Sequence, residues 1–329
     1  MRQEHFIQRH QQEWADFEQW LDTRASKPKR ARADSGWRGL ADEDVPATYR
    51  RLCQHLGLAR RRGYSPQLCE RLQVLMQRGH AAMYRPPLPH WQRAFEFILA
   101  DFPALVRAER GVMLAALGLF VLPLVLSFVA VQWQPELIHT LMRPQQVAEM
   151  ETMYAKAAEK LGRDSGTDWA MFGFYIFNNI SIGLRTYASG LMAGVGPVLA
   201  IVFNGLMMGA VAGHLQAAGL GDPFWRFVCG HSAFELTAIV IAGGAGLRLG
   251  LALLVPGRRR RVDALLEDGR RGAKLCLGVF VMLLLAAFIE AFWSSIGWIP
   301  ASVKYSVAAL LWSAVALWLW RGGSDRDAR

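Results

Sequence analysis

The sequence predicts an all-α, polytopic membrane helical bundle of about six transmembrane helices, with a cytosolic helical region at the N-terminus. Hydrophobic residues make up 53% of the 329 residues, and they fall in long blocks. Residues 111–133 hold 23 positions without a charge, where about 20 apolar residues suffice to cross a bilayer. The first 110 residues instead carry 19 Lys/Arg and 13 Asp/Glu, which indicates a region outside the membrane.

Residues 1–106 are predicted to form this cytosolic helical region. In its first helix, Phe6, Trp14, Phe17 and Leu21 share one face. The first 20 residues are charged and lack the apolar stretch of a secretory signal. No nucleic-acid-binding motif accompanies the positive charge, so we expect a basic face toward the anionic cytoplasmic leaflet and no nucleic-acid partner.

Residues 107–329 are predicted to form the transmembrane domain, with the lipid bilayer as its first partner. Its apolar blocks predict spans at about residues 111–133, 169–187, 190–213, 226–254, 275–297 and 302–320. The second of these is amphipathic and ends near Arg185, so it could span the membrane, re-enter it or lie in the interface.

The distribution of Lys and Arg predicts the orientation. Residues 134–168 hold four Lys/Arg against six acids and are predicted to be external. Residues 256–274 hold seven Lys/Arg and are predicted to be cytoplasmic. Three crossings fit between them, which puts both termini in the cytoplasm. The cytoplasmic basic loop contains Arg258, Arg259, Arg260 and Arg261.

Small residues recur every four positions in the membrane region, a spacing that lets helix backbones approach closely. They could pack helices within one chain or form a subunit interface in a homo-oligomer. The predicted packing positions are Gly190, Gly194, Gly205, Gly209, Gly213, Gly246 and Gly250.

Polar residues on four predicted spans fall at similar depths, roughly 8–14 Å below the external helix ends at 1.5 Å per residue. Ionisable groups at such depths normally face the bundle interior or a wet cavity. The i,i+4 spacing also puts one His and one Glu on a common helix face. The predicted intramembrane polar cluster is Asn178, Asn179, Asn204, His231, Glu235 and Glu290.

Three interpretations of this cluster remain open. It could be a structural network that joins the helices, or a site for a proton, an ion or a small polar solute. It could also be a metalloenzyme centre, but His231 and Glu235 alone fall short of a three-ligand zinc site, and Glu290 would have to complete it. No HExxH motif occurs, and the four cysteines form no CxxC pair. We therefore predict no catalytic residues, no metal and no cofactor.

Several ordered motifs resemble the stage II sporulation protein M family of bacterial membrane proteins, in its non-sporulating branch. They are "FNNI" from Phe177, "NGLMMG" from Asn204, and "HSAFELTAIVIAGGAGLRLG" from His231 followed by "PGRRRR". The N-terminal "FIQRHQQEWADFEQWL" and "LARRRGYSPQL" also fit.

The resemblance implies a multi-pass protein of the bacterial inner (cytoplasmic) membrane and a non-enzymatic scaffold or anchor in a multiprotein cell-envelope assembly. Partners implied by the family are a MoxR-type ATPase, von Willebrand A-type proteins, a transglutaminase-like protein and an RDD-type membrane protein. The alternative is a channel or transporter for a proton, ion or small polar solute that uses the polar cluster.

Overall fold

The computed structural model describes residues 3–26, 40–83, 90–155 and 167–324, and these residues contain helices but no strands. The chain divides into two compact units, residues 1–89 and 90–329. The α-helices are α1 (Gln3–Ser26), α2 (Val45–Arg61), α3 (Pro66–Met83), α4 (His90–Glu96), α5 (Phe102–Ala108), α6 (Arg110–Trp133), α7 (Pro144–Ala155), α8 (Asp168–Ala188), α9 (Val195–Ala217), α10 (Gly221–Leu254), α11 (Arg261–Ile289) and α12 (Ala301–Arg321).

The N-terminal unit consists of α1, α2 and α3 around its own hydrophobic core. The apolar face of α1 forms much of this core, since Phe6, Trp14 and Phe17 are each at most 1% exposed. Leu72 of α3 is fully buried beside them. Charged residues stay at the surface, where Glu13 of α1 pairs with an arginine of α2. This small unit therefore has an interior independent of the membrane helices.

The boundary between the two units falls at residue 89, earlier than the predicted boundary at 106. Helix α5 explains the difference, because Phe102 is fully buried in a core shared with Leu275 of α11. Trp318 of α12 packs against Phe102 with ring centroids 5.4 Å apart. The segment that leads into the first span is thus part of the membrane unit.

The membrane unit confirms the predicted all-α bundle. By length and composition, five helices in the described part of the chain could cross a membrane: α6, α9, α10, α11 with its π-helical extension to Ser294, and α12. Helix α10 is the longest, with 34 residues, and two-thirds of its most apolar window is buried within the protein. It is the central helix of the bundle.

Helix α8, predicted as the second of six spans, is not among these five. It nevertheless lies along α11 for most of its length. Trp169 packs on Phe292 at 4.9 Å between ring centroids, and the Tyr187 hydroxyl donates to the Gly269 carbonyl at 2.9 Å. These contacts are about 27 Å apart along α8 at 1.5 Å per residue. Helix α8 therefore covers the same depth as the span beside it.

The stripe Gly205, Gly209 and Gly213 of α9 faces α6. A Cβ atom built on Gly209 would lie 2.0 Å from the Leu124 carbonyl oxygen. The corresponding distances are 2.4 Å from Gly205 to the Phe120 oxygen and 2.6 Å from Gly213 to the Phe128 oxygen. The stripe lets two helix backbones touch within one chain.

The other predicted packing glycines meet each other. A Cβ on Gly190 would lie 2.4 Å from the Gly246 carbonyl oxygen, and one on Gly250 would lie 2.3 Å from the Gly194 nitrogen. Gly194 also has φ +84°, a left-handed conformation that favours glycine at the start of α9. The turn between α8 and α9 therefore rests directly on α10.

At one end of the bundle, α5, α10, α11 and α12 meet through charged groups. Asp268 of α11 is 1% exposed and pairs with Arg248 of α10 at 3.3 Å and Arg259 of the basic loop at 3.1 Å. Arg107 of α5 donates to the carbonyl of Leu319 at the end of α12 at 2.6 Å. The basic loop and the last helix end therefore lie on the same side of the membrane unit.

Candidate functional site

Helix α10 places His231 and Glu235 one turn apart on its buried face. Their Nε2 and Oε2 atoms are 3.6 Å apart, and their side chains are only 5% and 15% exposed. The helix is anchored just before this pair, where Arg226 donates to the carbonyls of Gly297 at 2.6 Å and Ile299 at 2.8 Å. These bonds tie α10 to the turn between α11 and α12.

The end of α11 changes to a π-helical turn over residues Glu290–Ser294. Such turns are rare in proteins overall, but those that occur are often found at functional sites. The two end residues of this π-helical turn belong to the site. Glu290 is 9% exposed, and the Ser294 hydroxyl lies 3.0 Å from His231 Nδ1. The fully buried Lys304 of α12 donates to the Ser294 carbonyl at 2.6 Å, which holds the turn in place.

Glu290 brings a second carboxylate to the histidine. His231, Glu235 and Glu290 each offer a ligand atom, and these three atoms all lie within 4.8 Å of one another. We call these residues the triad. Asn179 of α8 interacts with Glu290 through its side chain. However, the Asn179 amide nitrogen and Glu290 Oε2 find no hydrogen-bond partner of acceptable geometry in the described residues.

The triad lies at the wall of a cavity of about 400 Å³ between α6, α9 and α10. Its other walls are largely apolar and include Leu124 and Met208. Behind one lining residue, Phe227, lies Tyr154 of α7, with ring centroids 6.3 Å apart. Burial raises the pKa of Tyr154, and the charge of Glu290 raises it further. The phenol therefore stays protonated at neutral pH.

The remaining members of the predicted cluster do not reach this cavity's lining. Asn178 is exposed and donates to the Asn179 oxygen at 3.0 Å. Asn204 donates to the Ala200 carbonyl of its own helix at 2.8 Å. Sequence reasoning also missed Ser294 and Lys304. A lysine two residues past the start of the predicted span 302–320 was the available signal, because such a residue needs a buried partner.

A second histidine cluster lies in the N-terminal unit. The rings of His10 and His55 are tilted against each other with centroids 4.0 Å apart, and both residues lie with Glu13 in a group whose ligand atoms are within 4.8 Å. Burial lowers the pKa of His10 and of His55, with the His10 charge as a further cause for His55. Trp14 Nε1 donates to His55 Nδ1 at 3.2 Å. The cluster is half-buried and already hydrogen-bonded.

Comparison with known families decides the assignment. Residues 115–295 match the stage II sporulation protein M family, more than half of the chain. The chain belongs to the stage II sporulation protein M family. Residues 4–85 separately match a domain of unknown function, DUF8413. No curated protein and no solved structure matches the chain.

The two matches follow the division of the structure. The stage II sporulation protein M region contains the triad, the π-helical turn and all the packing glycines, whereas Lys304 falls just beyond it. The DUF8413 region corresponds to the N-terminal helical unit. The chain is thus a multi-pass membrane protein that carries a separate helical module.

Proposed function

We propose that this protein is a non-enzymatic scaffold, the membrane anchor of a multiprotein assembly in the bacterial cell envelope. The observation that carries the proposal is the N-terminal unit, which has its own core and its own family match beside a membrane unit. A separately folded module with exposed Arg60, Arg61 and Arg62 suits binding to other proteins at a membrane surface. The partners expected by family resemblance are the MoxR-type ATPase and the von Willebrand A-type and transglutaminase-like proteins.

The proposed location is the inner membrane, with both termini in the cytoplasm. The basic loop, the end of α12 and α5 share one end of the membrane unit, which supports a single cytoplasmic side rich in arginine. A homo-oligomer is compatible with this arrangement, but the glycine stripes do not call for one because their partners lie within the chain.

The scaffold role is tested by cross-linking and capture of the tagged full chain from its native membranes. Leu72→Asp puts a charge into the core of the N-terminal unit and should unfold it, while the membrane unit remains inserted. Gln77→Asp adds the same charge at an exposed position of the same helix and is the control. We expect Leu72→Asp to lose the envelope proteins that the wild type and the control recover. Recovery of the same proteins with all three chains would contradict the proposal.

A second candidate function is a channel or transporter for a proton, ion or small polar solute. The buried triad beside a cavity supports it, since such groups mark ion pathways in membrane proteins. Purified protein in liposomes should then show pH-dependent flux that Glu235→Gln abolishes without lowering the melting temperature. A protein that is only a scaffold should show no selective flux.

A further inference from the structure

We propose that His231, Glu235 and Glu290 bind one divalent transition-metal ion, of the class of Zn²⁺ or Mn²⁺, at the wall of the cavity. The sequence alone predicts no metal, because His231 and Glu235 fall short of a three-ligand site and Glu290 would have to complete it. The proposal goes beyond the scaffold role and holds whether or not an ion crosses the membrane.

The geometry of the triad approaches that of a site for such an ion. With metal–ligand bonds of about 2.1 Å, two ligands at a tetrahedral ion lie about 3.4 Å apart and never more than about 4.2 Å. His231 Nε2 and Glu235 Oε2 are already 3.6 Å apart. The ligand atoms of all three residues lie within 4.8 Å of one another. At the upper end of that bound, a ligand pair would have to approach by about 1.4 Å, from 4.8 to about 3.4 Å, to close a tetrahedral site.

The charge of the triad favours a divalent ion. Two buried carboxylates repel each other and lose hydration, unless a cation or a proton neutralises them. An ion of charge +2 neutralises Glu235 and Glu290 together while His231 stays neutral. The mixed nitrogen and oxygen ligand set suits Zn²⁺, Mn²⁺ or Fe²⁺ better than Ca²⁺ or Mg²⁺, which prefer oxygen ligands alone.

The surroundings of the triad resemble the support that metal ligands require. A ligating histidine usually has its other ring nitrogen hydrogen-bonded, which orients the ring. Ser294 Oγ takes this place, 3.0 Å from His231 Nδ1. Lys304 fixes Ser294 through its carbonyl. The His231 ring is thus held by groups on the π-helical turn and on α12.

An independent observation points to a ligand. Glu290 is 9% exposed and lines the cavity, yet its Oε2 makes no hydrogen bond of acceptable geometry in the described residues, although the Asn179 amide lies beside the carboxylate. A buried polar atom without a partner is costly and commonly marks a bound ion or water. Three protein ligands would leave one coordination position directed toward the cavity, as in sites that exchange a small ligand.

The proposal is tested on full-length protein in detergent, stripped with a chelator and titrated with Zn²⁺ against a chromophoric competitor. We expect one site in the wild type, and a loss of affinity of more than about 100-fold in Glu290→Gln, since removing a supporting partner alone costs about 10–100-fold. Ser294→Ala removes only the group that orients His231, so it should lower the affinity by the smaller factor of about 10–100. Co²⁺ in place of Zn²⁺ should give an absorption spectrum typical of nitrogen and oxygen ligands.

His55→Gln is the control, because the histidine cluster of the N-terminal unit could also take up Zn²⁺. It should leave the triad's affinity and the Co²⁺ spectrum unchanged. Glu235→Gln serves as the second ligand variant if Glu290→Gln does not fold, and melting temperatures without metal monitor folding in both. The proposal would be overturned if the wild type and a folded triad variant bound Zn²⁺ with equal affinity. It would also be overturned if the wild type, at micromolar concentration, bound no Zn²⁺ when the ion was in about 100-fold excess.

Discussion

Replacement of Gly209 by alanine should separate α6 from α9 and destabilise the membrane unit. The added Cβ would lie 2.0 Å from the Leu124 carbonyl oxygen and 2.2 Å from Ser127 Oγ, whereas real Cβ contacts below 3.0 Å essentially never occur. The helices must move apart by about 1 Å, and the Leu124 backbone cannot rotate away as a side chain could. Overpacking of this kind costs about 1–3 kcal/mol, and Gly209→Leu should cost more.

The assay is thermal unfolding of the purified full chain in detergent, where this cost corresponds to a fall in melting temperature on the order of 5 °C. Gly118→Ala, on α6 with nothing within 4 Å of the added Cβ, is the matched control and should be neutral. The melting temperatures of Gly205→Ala and Gly213→Ala should lie between those of Gly209→Ala and Gly118→Ala, because their added Cβ atoms would clash less, at 2.4 and 2.6 Å. Equal melting temperatures for Gly209→Ala and Gly118→Ala would refute the close contact.

Three further predictions concern charged groups outside the apolar core. Asp263→Cys, in a chain whose other cysteines have been replaced, should lie on the cytoplasmic side. A membrane-impermeant thiol reagent should therefore label it only after lysis, and labelling in intact cells would show that the predicted topology is wrong. Asp268→Asn should destabilise the membrane unit by about 3 kcal/mol, because it is buried between two arginines. Asp263→Asn, which removes only an exposed pair, should cost less than about 1 kcal/mol by the same thermal assay. Burial lowers the pKa values of His10 and His55 below 6.5 in the folded N-terminal unit. The unfolded unit therefore binds more protons than the folded unit, and the free energy of unfolding should fall as the pH drops below 6.5. Thermal unfolding of that unit should give a lower melting temperature at pH 5 than at pH 7, and a double His→Gln variant with an unchanged pH response would contradict this.

The sequence by itself determined the class of the protein and the positions of groups along each helix. Charge-free blocks of span length predict membrane helices because buried charges are costly in lipid. Helical periodicity puts His231 and Glu235 on one face, and four-residue spacing puts Gly205, Gly209 and Gly213 in one stripe. These properties depend only on a residue's own helix, so they can be derived without knowing its neighbours.

Only the tertiary structure decided which helices meet and which side chains converge. Depth along a span does not specify rotation about the helix axis, so Asn204 was predicted in the cluster although it bonds to its own helix. The π-helical turn, which has no sequence signature of its own, carries Glu290 and Ser294 to His231. Lys304 approaches from a helix whose packing no periodicity predicts. Contacts between helices depend on the mutual fit of complete surfaces, and that fit exists only in the folded bundle.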